Sequence, residues 1–365
     1  MFTNPFTPTF GAIPPYMAGR EEIIDELTRA LEVGPSSPEL TTIIAGARGT
    51  GKTALLSYMA EKAEGCGWVS ANVSALPGML EEIIQQAQNA ASHLLNDPKK
   101  QIHLSGLRLG DIAEISFDET EKPTATWRIR MGNLLDNLAK TNTGLLITVD
   151  EVRPDLDEMV QLASAFQHFV RERRKVALFM AGLPMHVSTL LQDKSVSFLR
   201  RANYYEIGSV SNFEVEQALR KTIEKAGRTI APNALQEAVQ LIEGFPYMMQ
   251  LIGYRSWNAS PENVQMSADD VENGAQFARN DMKRKIFDTT FRELSKGDVL
   301  FLAAMLDDEG PSDLAEIARR MGKKSNYASQ YKRRLIEQGL LIDCGQGSLR
   351  IGLPLFKDYL RERLG

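Results

Sequence analysis

Two rhythms of apolar residues alternate along the first part of the chain. Within 21–31, Ile23, Ile24, Leu27 and Leu31 repeat at helical spacing, and GPSSPE then breaks the chain. TTIIA at 41–45 is short, apolar and β-branched, and reads as a buried strand. A helix over 52–62, a strand over 68–73 and a long helix over 80–95 follow. Then come a helix over 127–140, a strand over 145–149, a helix over 156–173, and strands over 176–181 and 204–207. Strands alternating with helices predict a parallel sheet covered on both faces, an α/β fold. The polar segment 96–126, with its partly alternating IHLSGLRL and IAEISF, reads as an insertion holding a hairpin. Residues 1–16, rich in Pro, Thr and Phe, read as extended.

Beyond about Ser209 the strand signal stops, and 212–292 reads as helices broken at GRTIAPN and NASPEN. From about Leu294 a third pattern begins. A helix over 297–306 carries Val299, Leu300, Leu302 and Leu306 on its stripe. Ser312 is placed to cap a helix over 313–321, Gly322 turns the chain, and 326–338 forms a third helix. LLIDCGQGSLRIG reads as two short strands around a glycine-rich tip. Helix, helix, turn, helix and wing is the order of a winged helix-turn-helix, whose third helix usually enters the major groove.

Composition narrows the class. A length of 365 residues suits two or three domains, and 43% hydrophobic with 24% charged residues excludes wholesale disorder and fibrous architecture. No run approaches about 18 apolar residues, and MFTNPFTPTFGAIPPY has neither a basic nor an apolar leader region. No membrane span is expected, and a cytoplasmic location is. Cys66 and Cys344 read as reduced thiols, while His93, His103, His168 and His186 are too scattered for a zinc site. A net charge of -5 argues against a general nucleic-acid coat. Yet 291–365 holds 13 basic and 11 acidic residues, and RRMGKKSNYASQYKRR at 319–334 holds seven basic and no acidic one.

Gly46-Ala47-Arg48-Gly49-Thr50-Gly51-Lys52-Thr53 fits G-x-x-x-x-G-K-[ST]. Its glycines let backbone N–H groups wrap phosphate oxygens, and the helix that follows through Ala54 adds its positive N-terminal end. Lys52 is placed for the β- and γ-phosphates and the Thr53 hydroxyl for magnesium. The strand LLITV ends in Asp150-Glu151. A carboxylate there can hold the magnesium shell, and the next can orient a water against the γ-phosphate. Asp150 is assigned the first role and Glu151 the second. The expected ligands are ATP or ADP with Mg²⁺.

GARGTGKT, LLITVDE, VALFMAGLP and the late GFPYMMQLIG together resemble the AAA+ group. Within it the chain is most similar to the nucleotide-switch (STAND-like) and archaeal-ATPase branches, close to the origin-recognition initiator ATPases. The resemblance implies a P-loop core over 1–210 with the insertion at about 96–126, a helical lid over 211–293, and a winged helix over 294–365. It implies that Gly19 and Arg20, in AGRE, lie beside the adenine, and that Gly244 and Pro246, in GFP, form the lid's base contact. It places Arg200 and Arg201 where relatives carry an arginine finger acting on a neighbour's ATP; the alternative is a solvated basic pair. Two departures stand out. The strand over 176–181 ends in AGLP without a polar γ-phosphate sensor, and GFP stands where many motors carry a sensing arginine. Both favour a slow switch over a processive motor or helicase loader.

Lys323, Lys324, Ser325, Tyr327, Ser329, Gln330, Lys332, Arg333 and Arg334 populate the turn and third helix, and Arg350 follows the wing tip. Cations suit phosphates, and Ser, Gln and Tyr can read base edges, so duplex DNA is the first candidate partner. Winged helices also contact protein. Two readings follow: a nucleotide-dependent switch controlling DNA binding or assembly, or a signalling scaffold holding ADP tightly. A homo-oligomer or a protein partner is compatible with either.

Overall fold

The computed structural model describes residues 2–9, 11–96 and 126–364. The hairpin expected within 96–126 lies outside the described residues. The stripe of 21–31 forms α1 (Glu21–Val33), which buries Ile24, Leu27 and Leu31. There follow β1 (Thr41–Gly46), α2 (Lys52–Gly65), β2 (Trp68–Ser74), α3 (Met79–Asn96) and α4 (Trp127–Lys140). The series continues through β3 (Gly144–Asp150), α5 (Asp157–Arg171), β4 (Val176–Gly182), α6 (Pro184–Gln192) and β5 (Asn203–Ile207).

The five strands form one sheet in the order β2-β3-β4-β1-β5, with every pairing parallel. Strands β3 and β4 are buried on both faces, which is why they read as continuous apolar runs. Edge strand β5 alternates instead. One face is packed by α3, α4 and α5 through residues such as Ile83, Leu135 and Phe166. The other is packed by α1 and α2 through Leu27, Leu55 and Met59. The loops after β1 and β3 therefore emerge at the same carboxyl edge, where ligands bind in open α/β sheets.

After the sheet come α7 (Asn212–Lys225), β6 (Thr229–Ile230), α8 (Pro232–Ile242), α9 (Pro246–Ala259), β7 (Gln265–Met266) and α10 (Ala268–Met282). The expectation that strands end at 209 needs one correction: β6 and β7 pair in parallel. At two residues each, they are too short for any periodicity to show. Helices α7 and α10 start at capping boxes, Ser211 with Glu214 and Ser267 with Asp270. A π turn (Lys283–Phe287) joins α10 to α11 (Asp288–Glu293) without a break.

The last elements are α12 (Lys296–Ala303), β8 (Ser312–Asp313), α13 (Leu314–Arg320), α14 (Ser325–Glu337), β9 (Leu341–Gly345), β10 (Ser348–Ile351) and α15 (Phe356–Leu364). Here the cap differs from expectation. Asp313 Oδ1 accepts from the N–H groups of Ala315 and Glu316. Ser312 is instead buried in β8, paired with Leu349 of β10. The stripe of α12 is also rotated: Phe301 and Leu302 are buried while Leu300 is exposed.

The helical elements after β5 and the C-terminal elements share one apolar cluster, running from Val215 through Phe287 to Leu360. Phe287 packs on Phe356 and Tyr359, and Phe291 on Tyr359. Such pairs contribute about 0.5–1.5 kcal/mol each beyond area burial. The Tyr359 hydroxyl donates to Asp288 Oδ1 at 2.7 Å.

Candidate nucleotide-binding site

The turn from β1 into α2 is the glycine-rich loop. Gly49 and Gly51 have φ of 79° and 91°, conformations that side chains disfavour. At Gly49 a Cβ would also strike the Phe245 ring at 2.4 Å. Lys52 is buried, and its Nζ donates to the carbonyls of Gly46 and Ala47 at 2.9 Å each. Burial pushes its pKa below the usual lysine value, partly offset by Asp150 and Glu151. Thr50 Oγ1 donates to the Ala47 carbonyl and tightens the loop.

Thr53 Oγ1 donates to Asp150 Oδ2 at 2.6 Å. A hydroxyl and a carboxylate side by side at the loop are hard oxygen donors that fit a magnesium ion shared with phosphate. Among the described residues no cluster of three or more His, Cys, Asp or Glu could hold a metal unaided. Glu151 stands out by its backbone: it has φ of 57° and is exposed. A non-glycine residue held there costs about 1–3 kcal/mol, strain of the kind that collects at functional sites.

These groups open onto a cavity of about 430 Å³, within the range of small-molecule sites. Of the expected site residues it takes in Arg20, Arg48, Gly49, Thr50, Gly51, Lys52, Thr53, Ala54, Glu151 and Pro246. Gly46, Ala47, Gly19 and Asp150 adjoin these in the chain, and Gly244 lies two residues before Pro246. Arg20 is buried, and its guanidinium donates to the carbonyls of Gly208, Gly19 and Thr50. Burial lowers its pKa, partly offset by Glu214. Arg20 therefore ties the loop to the end of β5.

Three other segments line the cavity; the part of α9 that begins at Pro246 was expected there, the other two were not. The opening strap contributes Thr7, Gly11 and Tyr16, and α9 contributes Tyr247, Met249 and Gln250. The connector after α10, made of the π turn and α11 (283–293), contributes Lys285, Thr289 and Glu293. The strap is clipped to α9, since Thr7 N–H donates to Gln250 Oε1 at 3.0 Å and Asn4 Nδ2 to the Tyr254 carbonyl. A proline-rich extended segment carries no periodic signal, so nothing in the sequence marks where it lies.

Three successive loop residues each meet a different part of the chain. Ala47 abuts Gly339, where a Cβ would come within 2.5 Å of the Ala47 Cβ. Arg48 Nη1 pairs with Glu293 Oε2 at 2.8 Å. Gly49 lies under Phe245, and its carbonyl accepts from Tyr247 N–H at 3.3 Å.

Arg200 and Arg201 lie outside the cavity, exposed at the end of a 3-10 helix (Lys194–Arg201). Arg200 Nε donates to the Leu191 carbonyl at 2.8 Å. Arg201 has no partner among the described residues.

The basic run is more neutralised than its sequence suggests. Arg319 and Arg320 pair with Glu316, and Arg320 also with Asp308. Lys332 pairs with Asp343 at 2.7 Å, and Arg333 approaches Glu337 at 3.5 Å. Arg334 pairs with the buried Asp298. Ser329 Oγ donates to the Ser325 carbonyl one turn back. Lys323 lies over the Tyr327 ring, and the Tyr327 and Tyr331 hydroxyls are 2.7 Å apart. Lys324, Ser325, Gln330 and Arg350 are exposed. None of these residues lines the cavity.

Residues 16–180 match the AAA ATPase domain family, and 284–360 match a domain of unknown function (DUF8462). No curated protein matches the chain. Among solved structures it is similar to the Walker-type ATPase PABY2304 of Pyrococcus abyssi, at 15% identity and TM-score 0.66, covering 94% of this chain and 96% of that one. The ORC2 protein of Aeropyrum pernix, in ADPNP-ADP complexes, is similar at 16% identity and TM-score 0.66, covering 97% and 95%. Cdc6p from Pyrobaculum aerophilum is similar at 15% identity and TM-score 0.52, covering 98% of each. No helix among the described residues is long and apolar enough to cross a membrane. Residues 16–180 thus match the AAA ATPase domain, and along its length the chain shares its fold with PABY2304, ORC2 and Cdc6p.

Proposed function

We propose that this chain is a cytoplasmic AAA+ switch that binds ATP with magnesium, hydrolyses it slowly, and uses the bound state to control DNA binding or assembly. The observation that carries the reading is the cavity, where the glycine-rich loop, α9 and the connector meet. Lys52 and the loop amides would hold the phosphates, and Thr53 and Asp150 the magnesium. That ion, when bound, neutralises phosphate charge and orients the transferred group. Glu151 would orient a water, and Arg201 or Arg200 would reach a neighbour's γ-phosphate.

The slow rate rests on what ends β4. Ala181, Gly182 and Leu183 offer no polar side chain there, and α9 begins with Pro246, not an arginine-bearing turn. We read 1–210 as the ATPase core, 211–293 as the lid and 294–365 as a winged helix, with Phe287 and Phe291 packing back onto the last unit. Lys323, Lys324, Gln330 and Arg350 would meet duplex DNA.

A second reading has a specific observation in its favour. Lys332, Arg333 and Arg334 already face acids within the chain, which suits a module that contacts protein while ADP is held as a structural ligand. One experiment separates the two: retention on duplex DNA across a salt series, with ATP, with ADP and with neither. The switch reading expects salt-dependent retention that changes with nucleotide. Absence of retention at low salt in all three conditions overturns it in favour of the protein-contact reading.

A further inference from the structure

The connector that leads out of α10 forms a whole wall of the cavity. Lys285, Ile286, Thr289, Thr290 and Glu293 line it, a spacing that puts them on one helical face about 12 Å long. The face begins inside the π turn (Lys283–Phe287). Such turns re-aim the residues around them and occur often at functional sites. Its far end is anchored by Glu293 on Arg48 of the phosphate loop.

Among the described residues four cations line the cavity, and three are held within the protein. Arg20 is engaged by backbone carbonyls. Lys52 caps two carbonyls of its own loop, and Arg48 pairs with Glu293. Lys285 is exposed and has no acceptor or carboxylate partner among the described residues. Glu293, the acid on the same face, is already engaged two turns away. A cation without a counter-charge in a concave site next to a phosphate-binding loop is a ready partner for an anion.

We infer that Lys285 is a nucleotide-binding residue, its ammonium donating to the phosphate chain of the ligand, an inference that rests on the nucleotide reading above. Lys285 lies within the 284–360 segment, outside the AAA ATPase domain match. The nucleotide then bridges two parts of the chain that are otherwise joined here by the Arg48–Glu293 pair and the Ala47–Gly339 contact. The position also supplies a cation to a lid that lacks the sensing arginine.

The test is a calorimetric titration of ADP and ATP into the full chain and its Lys285→Met, Lys285→Arg and Lys52→Ala variants. Methionine keeps the stem and removes the charge, so binding should weaken about tenfold, the loss of one charge-assisted hydrogen bond. Arginine should stay within about threefold of the parent. Because Lys285 is exposed, the nucleotide-free melting temperature should not change in either variant. Hydrogen exchange in 283–293 should slow on adding ADP to the parent, and less so in the methionine variant. Parent-like affinity for Lys285→Met alongside a loss in Lys52→Ala overturns this inference alone. Parent-like affinity in Lys52→Ala overturns the nucleotide reading and this inference with it.

Discussion

Thr53 Oγ1 and Asp150 Oδ2 stand 2.6 Å apart although 97 positions separate them in sequence. The contact runs along the carboxyl edge of the sheet from the start of α2, which follows β1, to the end of β3, past the one intervening strand, β4. It couples the loop's hydroxyl to the carboxylate that raises the Lys52 pKa against burial. Asp150→Asn keeps an acceptor for Thr53 and removes the charge. ATP affinity in magnesium should therefore fall to the value measured with chelator, while the chelator value itself stays put. Glu151→Gln should leave both affinities intact and abolish turnover, since an amide cannot polarise a water as a carboxylate does. Magnesium-dependent affinity surviving in Asp150→Asn would remove Asp150 from the metal shell.

Nucleotide binding should also carry a pH signature from Lys52. Burial lowers its pKa in the folded chain. Below that lowered value both folded and unfolded chains carry the charge. As pH rises from it toward the ordinary lysine value, the unfolded chain holds more protons, so Lys52 makes stability rise with pH in that window. Phosphates act the other way and favour the ammonium. Binding should take up a proton in the same window, and affinity should decline as pH climbs through it. Calorimetry in two buffers of different ionisation enthalpy reads the uptake directly. Lys52→Ala should lose the uptake and weaken binding by about 1.5–3 kcal/mol, the worth of a charged hydrogen bond.

The two candidate finger residues are no longer equivalent. Arg200 is tied to the Leu191 carbonyl, and Arg201 has no partner among the described residues. Arg201→Ala should bind ATP normally and lose most turnover, with Arg200→Ala milder. Mixing Arg201→Ala with Glu151→Gln subunits should restore part of the activity. No recovery in the mixture, or a monomer in every nucleotide state, would leave Arg201 as surface charge.

In α14 the basic residues separate by what they already hold. Asp298 is buried and accepts from Arg334 and from Ser295 N–H. Arg334→Ala should destabilise the fold by about 2 kcal/mol, because a buried acceptor is deprived of its charged donor. Lys323→Ala with Lys324→Ala should leave the melting temperature within about a degree. In the DNA reading the pair should flatten the salt dependence of binding by roughly one unit for each phosphate no longer neutralised. A DNA defect that appears only with Arg334 would be a folding defect, which a thermal melt exposes.

The glycine-rich loop and the strand ending in Asp150 were legible because their signals are local: glycine spacing, a β-branched run, an acid at a strand's end. Whatever depends on distant packing was not. Nothing in TNPFTPTF announces that Thr7 would clip to Gln250. Lys285 and Glu293 read as ordinary charges of a helix, and only the π turn and the Arg48 pair aim them at the loop. The cap went to Asp313 because Ser312 lies one residue too early, drawn into pairing with Leu349. The acid-free stretch 319–334 found its acids elsewhere, at Asp298, Asp308 and Asp343.

The grip of Phe245, Glu293 and Gly339 on residues 47–49 has a consequence for the newly made chain. The sheet is complete once Ile207 has emerged, and its parallel core can form then. The loop's three neighbours are still to come, the last of them at Gly339. At synthesis rates of about 5–20 residues per second, that is roughly 7–26 s later. Phe245 covers Gly49 first and Glu293 reaches Arg48 next, so the loop gains its neighbours one at a time, and Ala47 stays uncovered until Gly339. Before residues 246–259 and 283–293 have emerged, the cavity lacks its α9 and connector walls. The cavity's described walls are thus complete only once the chain has passed Glu293, and the loop is fully packed only at Gly339.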